Sequence, residues 1–202
     1  MMTAWPCHRC GEIADLNGPH ADGLPVCSHC APDAQPPILS IELVPAGSWG
    51  VNLRSILTGG QWDKLRKQCY AEAGHVCEVC GDSGLNQGRN HAVEAHEIWI
   101  YDDLAHTQTL ERIVSLCPRC HQAKHYGRQT TLGEGAKWRT LRHMAQVNGW
   151  TIEDAENYGK LALLAHSMRS RYTWQVNIEK LSQLYGINIY MGDIGQTTEM
   201  KQ

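Results

Sequence analysis

Eight of the nine cysteines in this chain stand in four Cys-x-x-Cys pairs: Cys7/Cys10, Cys27/Cys30, Cys77/Cys80 and Cys117/Cys120. Such a pair puts two thiolates on one tight knuckle, so two pairs can enclose one tetrahedral Zn²⁺. Four pairs predict two closed structural zinc sites, each tying together distant stretches of chain. A disulfide framework or a redox pair is the competing reading. Knuckles at ribbon spacing, with no apolar export segment at the N-terminus, favour metal thiolates in a reducing cytoplasm. The last pair runs directly into His121 and His125. These histidines point to a third, open metal site.

Charge is informative only when resolved along the chain. The net charge of −3 argues against a strongly basic nucleic-acid binder. Residues 1–50 hold Arg9 against Glu12, Asp15, Asp22, Asp33 and Glu42. Residues 111–142 reverse the balance, with Arg112, Arg119, Lys124, Arg128, Lys137, Arg139 and Arg142 against Glu111 and Glu134. A basic collar beside a metal site attracts phosphate. An ordinary solvated helix face accounts for the same charges. No apolar run approaches the length of about 18 residues that a membrane span needs.

The chain divides into five stretches. Residues 1–36 read as a zinc ribbon, with sixteen residues between Cys10 and Cys27, a gap suited to a four-cysteine site. Residues 37–60 form a linker after a proline-rich lead-in. They include a short strand at 38–44, where apolar residues alternate around Ser40 and Glu42. Residues 61–130 carry the metal-rich segment. It opens with a helix whose stripe is Trp62, Leu65, Cys69 and Ala73, ending at Gly74. The odd cysteine, Cys69, lies on that stripe and reads as a small buried residue. A loop at 81–90, strands at 92–100 and 113–116, and a helix opened by Pro118 complete the segment. Residues 131–191 read as a helical extension. Its helices lie at 136–148, at 152–170 behind a Thr151/Asp154 capping box, and at about 173–185, with a last strand at 187–191. These helices serve as a packing platform, a homodimer surface or a DNA-contacting lobe. Residues 192–202 read as a flexible tail. Trp99 and Trp138 are expected in the core.

The chemistry gathers in 77–125. Cys77, Cys80, Cys117 and Cys120 make one structural zinc site, and Cys7, Cys10, Cys27 and Cys30 the other. His96 falls on a strand, while His121 and His125 share one helix face. Strand and helix together can present three imidazoles to one divalent ion and leave positions open for water and phosphate.

Residues 70–128 resemble the HNH endonucleases, the ββα-metal superfamily, in the branch with a four-cysteine zinc clamp. The resemblance rests on CxxCG at 77–81, E-x-H at 94–96 and L-C-x-x-C-H-x-x-x-H at 116–125. It implies an α+β fold: a zinc-stabilised ββα-metal core between the N-terminal ribbon and the C-terminal helical extension. It also implies a metal-dependent endonuclease that hydrolyses phosphodiester bonds in nucleic acid, DNA above all, and leaves 5′-phosphate and 3′-hydroxyl ends. By the same resemblance His96, His121 and His125 hold one catalytic Mg²⁺, Mn²⁺, Ni²⁺ or Zn²⁺. Arg119, Lys124 and Arg128 would contact the nucleic acid.

Two positions depart from the family pattern. Glu97 stands where the general-base histidine belongs, and Arg112 where an orienting asparagine belongs. Glu97 could accept a proton from water or ligate the ion directly. Arg112 could clamp phosphate or stabilise developing charge. Neighbouring strand residues face opposite ways, so Glu94 rather than Glu97 shares the face of His96 unless the strand bulges. Loss of turnover is the alternative these departures permit, leaving a zinc protein that binds nucleic acid or a protein partner. A purely structural zinc protein would leave the histidine spacing to chance.

Overall fold

The computed structural model describes residues 37–187, together with the backbone of two short strands nearer the N-terminus. Those strands, β1 (Trp5–Pro6) and β2 (Ile13–Ala14), pair antiparallel. The remainder of the expected ribbon, including Cys7, Cys10, Cys27 and Cys30, lies outside the described residues. So do most of the expected strand at 187–191 and the whole tail.

The fold is α+β, built on a three-stranded sheet of order β3-β4-β5. β3 (Glu94–Asp102) and β4 (Thr107–Leu116) form an antiparallel hairpin. Asp102 makes the turn, its carboxylate accepting the Leu104 and Ala105 N–H groups at 3.0 and 2.9 Å. β4 begins well before the short strand expected at 113–116, because the hairpin partner extends the ladder. The register shifts between Ile98 and Trp99, a bulge that increases local twist.

Helices cover both faces of the hairpin. On one side lie α1 (Leu53–Ile56) and α2 (Gly59–Glu72), the latter started by a Thr58/Gln61 capping box. Trp62, Leu65 and Cys69 of α2 join Trp99, Leu110, Ile113, Trp174 and Leu181 in one core. On the other side lie α3 (Pro118–Lys124), α4 (Tyr126–Thr131), α5 (Glu134–Asn148) and α6 (Ile152–Arg169). Their core joins Val114 and Leu116 to Ala123, Tyr126, Leu141, Met144 and Ala162. A Cβ on Gly159 of α6 would lie 2.9 Å from the Tyr126 ring. Only glycine lets α6 approach this closely, and the contact fixes the start of α4 directly after His125. Trp99 is buried and Trp138 packs against the α3–α6 core. No helix among the described residues is long and apolar enough to cross a membrane.

Two expected elements are replaced. The stretch at 38–44, which bends at Ile38 and Leu39, belongs to no sheet. Its Leu39 N–H and carbonyl bind the Asn148 side chain at 2.9 and 3.0 Å. The Ile41 N–H binds the Tyr158 hydroxyl at 3.3 Å, and the Glu42 N–H the Lys124 carbonyl at 2.9 Å. With its donors committed to side chains and a helix end, the strap has no ladder to enter. The helix expected over 173–185 becomes β5 (Gln175–Asn177), parallel to β4, followed by α7 (Lys180–Tyr185). Trp174, Ile178 and Leu181 are still buried, so the apolar stripe is real while its first half is strand.

Candidate metal centre

Sulfur gathers where the hairpin ends. The first knuckle turns at Gly81, whose N–H binds the Cys77 carbonyl at 2.9 Å and whose φ of 73° favours glycine. The second begins at the end of β4 and enters α3 through Pro118. Glu78 and Ser115 lace the two together. The Glu78 N–H binds the Ser115 carbonyl at 2.9 Å, and the Ser115 N–H returns to the Glu78 carboxylate at 2.7 Å.

The four sulfurs of Cys77, Cys80, Cys117 and Cys120 consequently lie within 4.8 Å of one another, unbridged by disulfides. Four sulfurs, largely buried, fit a closed structural zinc site. The thiols of the cluster do not ionise alike: hydrogen bonds from Cys117 and Cys120 hold Cys77 well below the usual thiol range. Burial pushes Cys80 up to about 12. Hydrogen bonding to Cys117 and Cys77, with burial added, pushes Cys120 up as well.

Beside the sulfurs, three imidazoles converge. His96 comes from β3, and His121 and His125 from one face of α3 and its end. Ring centroids lie 5.3 Å apart for His96/His121, 4.9 Å for His96/His125 and 4.7 Å for His121/His125. Nε2 of His121 and Nε2 of His125 are 3.2 Å apart. One ring nitrogen from each residue fits within a 4.8 Å span.

Carboxylates hold two of these rings from behind. His96 Nε2 lies 3.1 Å from Glu42 Oε2, which leaves Nδ1 for a metal. His121 Nδ1 is in short contact with Glu94 Oε2, which leaves Nε2. Both are the carboxylate–histidine pairing that fixes a metal ligand's tautomer. Glu94 also accepts from His91, an exposed loop residue, at 2.7 Å.

Two of the rings, His96 and His125, are held toward the neutral form. Burial lowers the pKa of His96, and Glu42 only partly offsets this. Desolvation, then the nearby His96 and His121, push His125 down to about 3. Burial opposes ionisation of Glu42, but Lys124 and His96 together outweigh it and hold the carboxyl down to about 2. The hydrogen bond from His121 does most to hold Glu94 down to about 2.

Three expected site residues are turned to other work. Glu97 lies on the opposite face of β3, where its carboxylate accepts the Leu53 N–H at 2.9 Å and the Trp99 indole N–H at 3.1 Å. It caps the start of α1, and burial raises its pKa. The bulge in the hairpin inserts its extra residue, Glu111, in β4, so β3 keeps its alternation and Glu97 stays on the face away from His96. Arg112 pairs with Glu78 at 2.7 Å beside the sulfur knuckle. Lys124 is buried, with Nζ 2.7 Å from Ser40 Oγ and 2.8 Å from Glu42 Oε1, so its charge serves Glu42 rather than an external phosphate. Arg119, near the start of α3, and Arg128, within α4, are exposed.

The sequence reading missed Glu42 as a partner of His96. A lone acid between Ile41 and Leu43 is the available signal, since a buried carboxylate needs a buried partner. Glu94→Gln is expected to weaken binding of a divalent ion at the histidines by about 10–100-fold. Glu97→Gln should leave that affinity unchanged and cost about 1 kcal/mol of stability. Titration calorimetry and urea unfolding on both variants check the pair. Comparison with known protein families, curated proteins and solved structures finds no match to this chain.

Proposed function

We propose that this chain is a metal-dependent endonuclease of the HNH type, hydrolysing phosphodiester bonds in nucleic acid, with DNA the first substrate to test. The observation that carries this reading is the convergence of His96, His121 and His125 directly beside the four-cysteine cluster. On this reading the hairpin and α3 form the ββα core. Cys77, Cys80, Cys117 and Cys120 clamp it, and the three imidazoles hold one divalent ion. Such an ion supplies Lewis acidity toward phosphate oxygens and makes water a better nucleophile.

The residues around it have separable tasks. Glu42 and Glu94 hold the N–H of His96 and His121, so the lone pairs of both rings point at one centre. Lys124 keeps Glu42 ionised. Arg119 and Arg128 offer exposed positive charge to a phosphate backbone, which positions a duplex without reading its sequence. Glu97 has no part in this reading. Three nitrogen donors favour Ni²⁺ or Zn²⁺ over Mg²⁺, which prefers oxygen.

Supercoiled plasmid incubated with the protein and Mg²⁺, Mn²⁺, Ni²⁺ or Zn²⁺ tests the proposal. Nicking is expected, weakest with Mg²⁺. His121→Ala should reduce it about a hundredfold or more, since one of three ligands is lost. A second reading is favoured by the orientation of Glu97, which leaves the family's usual base position without a proton acceptor. In that reading the module binds nucleic acid without cutting it. Tight plasmid binding with no nicking under any metal, at any His121 genotype, would select it.

A further inference from the structure

One side chain of α5 reaches the sulfur cluster. His143 Nε2 lies 3.1 Å from Cys120 Sγ. The ring is not adventitiously placed, because Leu141 and Met144, two of its neighbours in α5, are fully buried in the same core as Cys117 and Cys120. A thiolate bound to Zn²⁺ carries no proton, so the contact can only be a hydrogen bond donated by Nε2–H. Four thiolates on one divalent ion leave excess negative charge on sulfur, and Cys77, Cys117 and Cys120 are all buried. An N–H donor disperses that charge where water cannot.

We infer that His143 is a positioning residue of the sulfur site: its Nε2–H donates to the Cys120 thiolate, strengthens metal binding and anchors α5 to the clamp. The residue after Cys120 is His121, so the restraint acts one peptide away from the histidine cluster. The inference depends on the cysteines holding a metal and is independent of nuclease activity.

Two measurements on the full-length protein test it. In the ¹¹³Cd²⁺-loaded wild type, ¹⁵N NMR should show His143 as the Nε2–H tautomer, with its proton slow to exchange and coupled to cadmium through sulfur. A ring protonated only at Nδ1, or an Nε2 bound to the metal itself, overturns the proposal. In the second, chelator competition measures Zn²⁺ affinity, and difference spectra of the Co²⁺-loaded proteins isolate this site from the others. His143→Leu should weaken Zn²⁺ binding about 10–100-fold and move the sulfur-to-cobalt charge-transfer band. His143→Gln, which keeps an N–H donor, should restore most of both. An unchanged band in His143→Leu, or a loss that His143→Gln does not recover, reduces the contact to packing and overturns the assignment.

Discussion

Replacing Cys117 with serine, or removing metal from the sulfur cluster with a chelator, is expected to unfold the region from α2 to α5 rather than loosen it. Structural zinc contributes about 10–16 kcal/mol of apparent binding energy in small modules near neutral pH. That is comparable to the whole stability of an ordinary domain, about 5–15 kcal/mol. Here three of the four candidate ligands are also part of the core: Cys77, Cys117 and Cys120 pack with Val114, Leu116 and Ala123. Once the ion is gone, four crowded sulfurs are left in a largely buried space with nothing to hold them together. The knuckle after α2 then loses its tie to the end of β4, and α3 loses its anchored start. His121 follows Cys120 directly, so the three imidazoles separate in the same event. Circular dichroism and the emission of Trp62, Trp99 and Trp174 would report the collapse, and hydrogen exchange should locate it at β4 and α3. A Cys117→Ser protein that melts within a few degrees of the wild type, with its zinc content intact, would show that the cluster is not the structural clamp.

How far the sequence could be read depends on where each instruction is stored. α2, α5 and α6 were legible because they carry their own punctuation. Gly74 in a left-handed conformation stands just past the end of α2, Gly149 in the same conformation ends α5, and a Thr151/Asp154 box starts α6. The convergence of His96, His121 and His125 was legible from strand and helix periodicity together with the sulfur knuckle beside them. β5 was not. Residues 173–185 carry a helical stripe, and only pairing with Thr107–Thr109 of β4 makes 175–177 a strand, a case of tertiary context overriding local pattern. Lys124 was misassigned for a related reason. Its place in a basic stretch suggests solvent, whereas its ammonium is claimed by Glu42, 82 residues away. Glu97 follows His96 directly in sequence, yet the alternation of β3 sends it to the other face. Motif spacing gives the order of residues along the strand; the pleat decides which of them face the histidine cluster.

Lys124→Met should destabilise the protein by about 3–5 kcal/mol at neutral pH, the usual consequence of stranding one partner of a buried ion pair. The side chains of Glu42 and Lys124 are only 8% and 6% exposed. In the wild type the folded-state pKa of Glu42 is about 2, below its ordinary 4.5. Its stabilising contribution is therefore complete above pH 4.5 and is lost as pH falls toward 2. Without the Lys124 charge, burial becomes the dominant influence and raises this pKa above 4.5. Glu42 then opposes folding at neutral pH and ceases to do so once protonated. The gap between variant and wild type should thus be widest near pH 7 and narrow as pH falls through 5, because a neutral carboxyl needs no cation. Glu42→Gln in the Lys124→Met background should recover much of the stability at pH 7, since no charge is left unpaired. It should not recover metal affinity at the histidines, because a neutral amide cannot hold the His96 N–H as a carboxylate does. Urea unfolding across pH 5–8 and metal titration of the single and double variants separate the two effects. If Lys124→Met costs the same at pH 5 as at pH 7, the buried charge pair is not the source of its effect, and Lys124 stabilises the strap by packing alone.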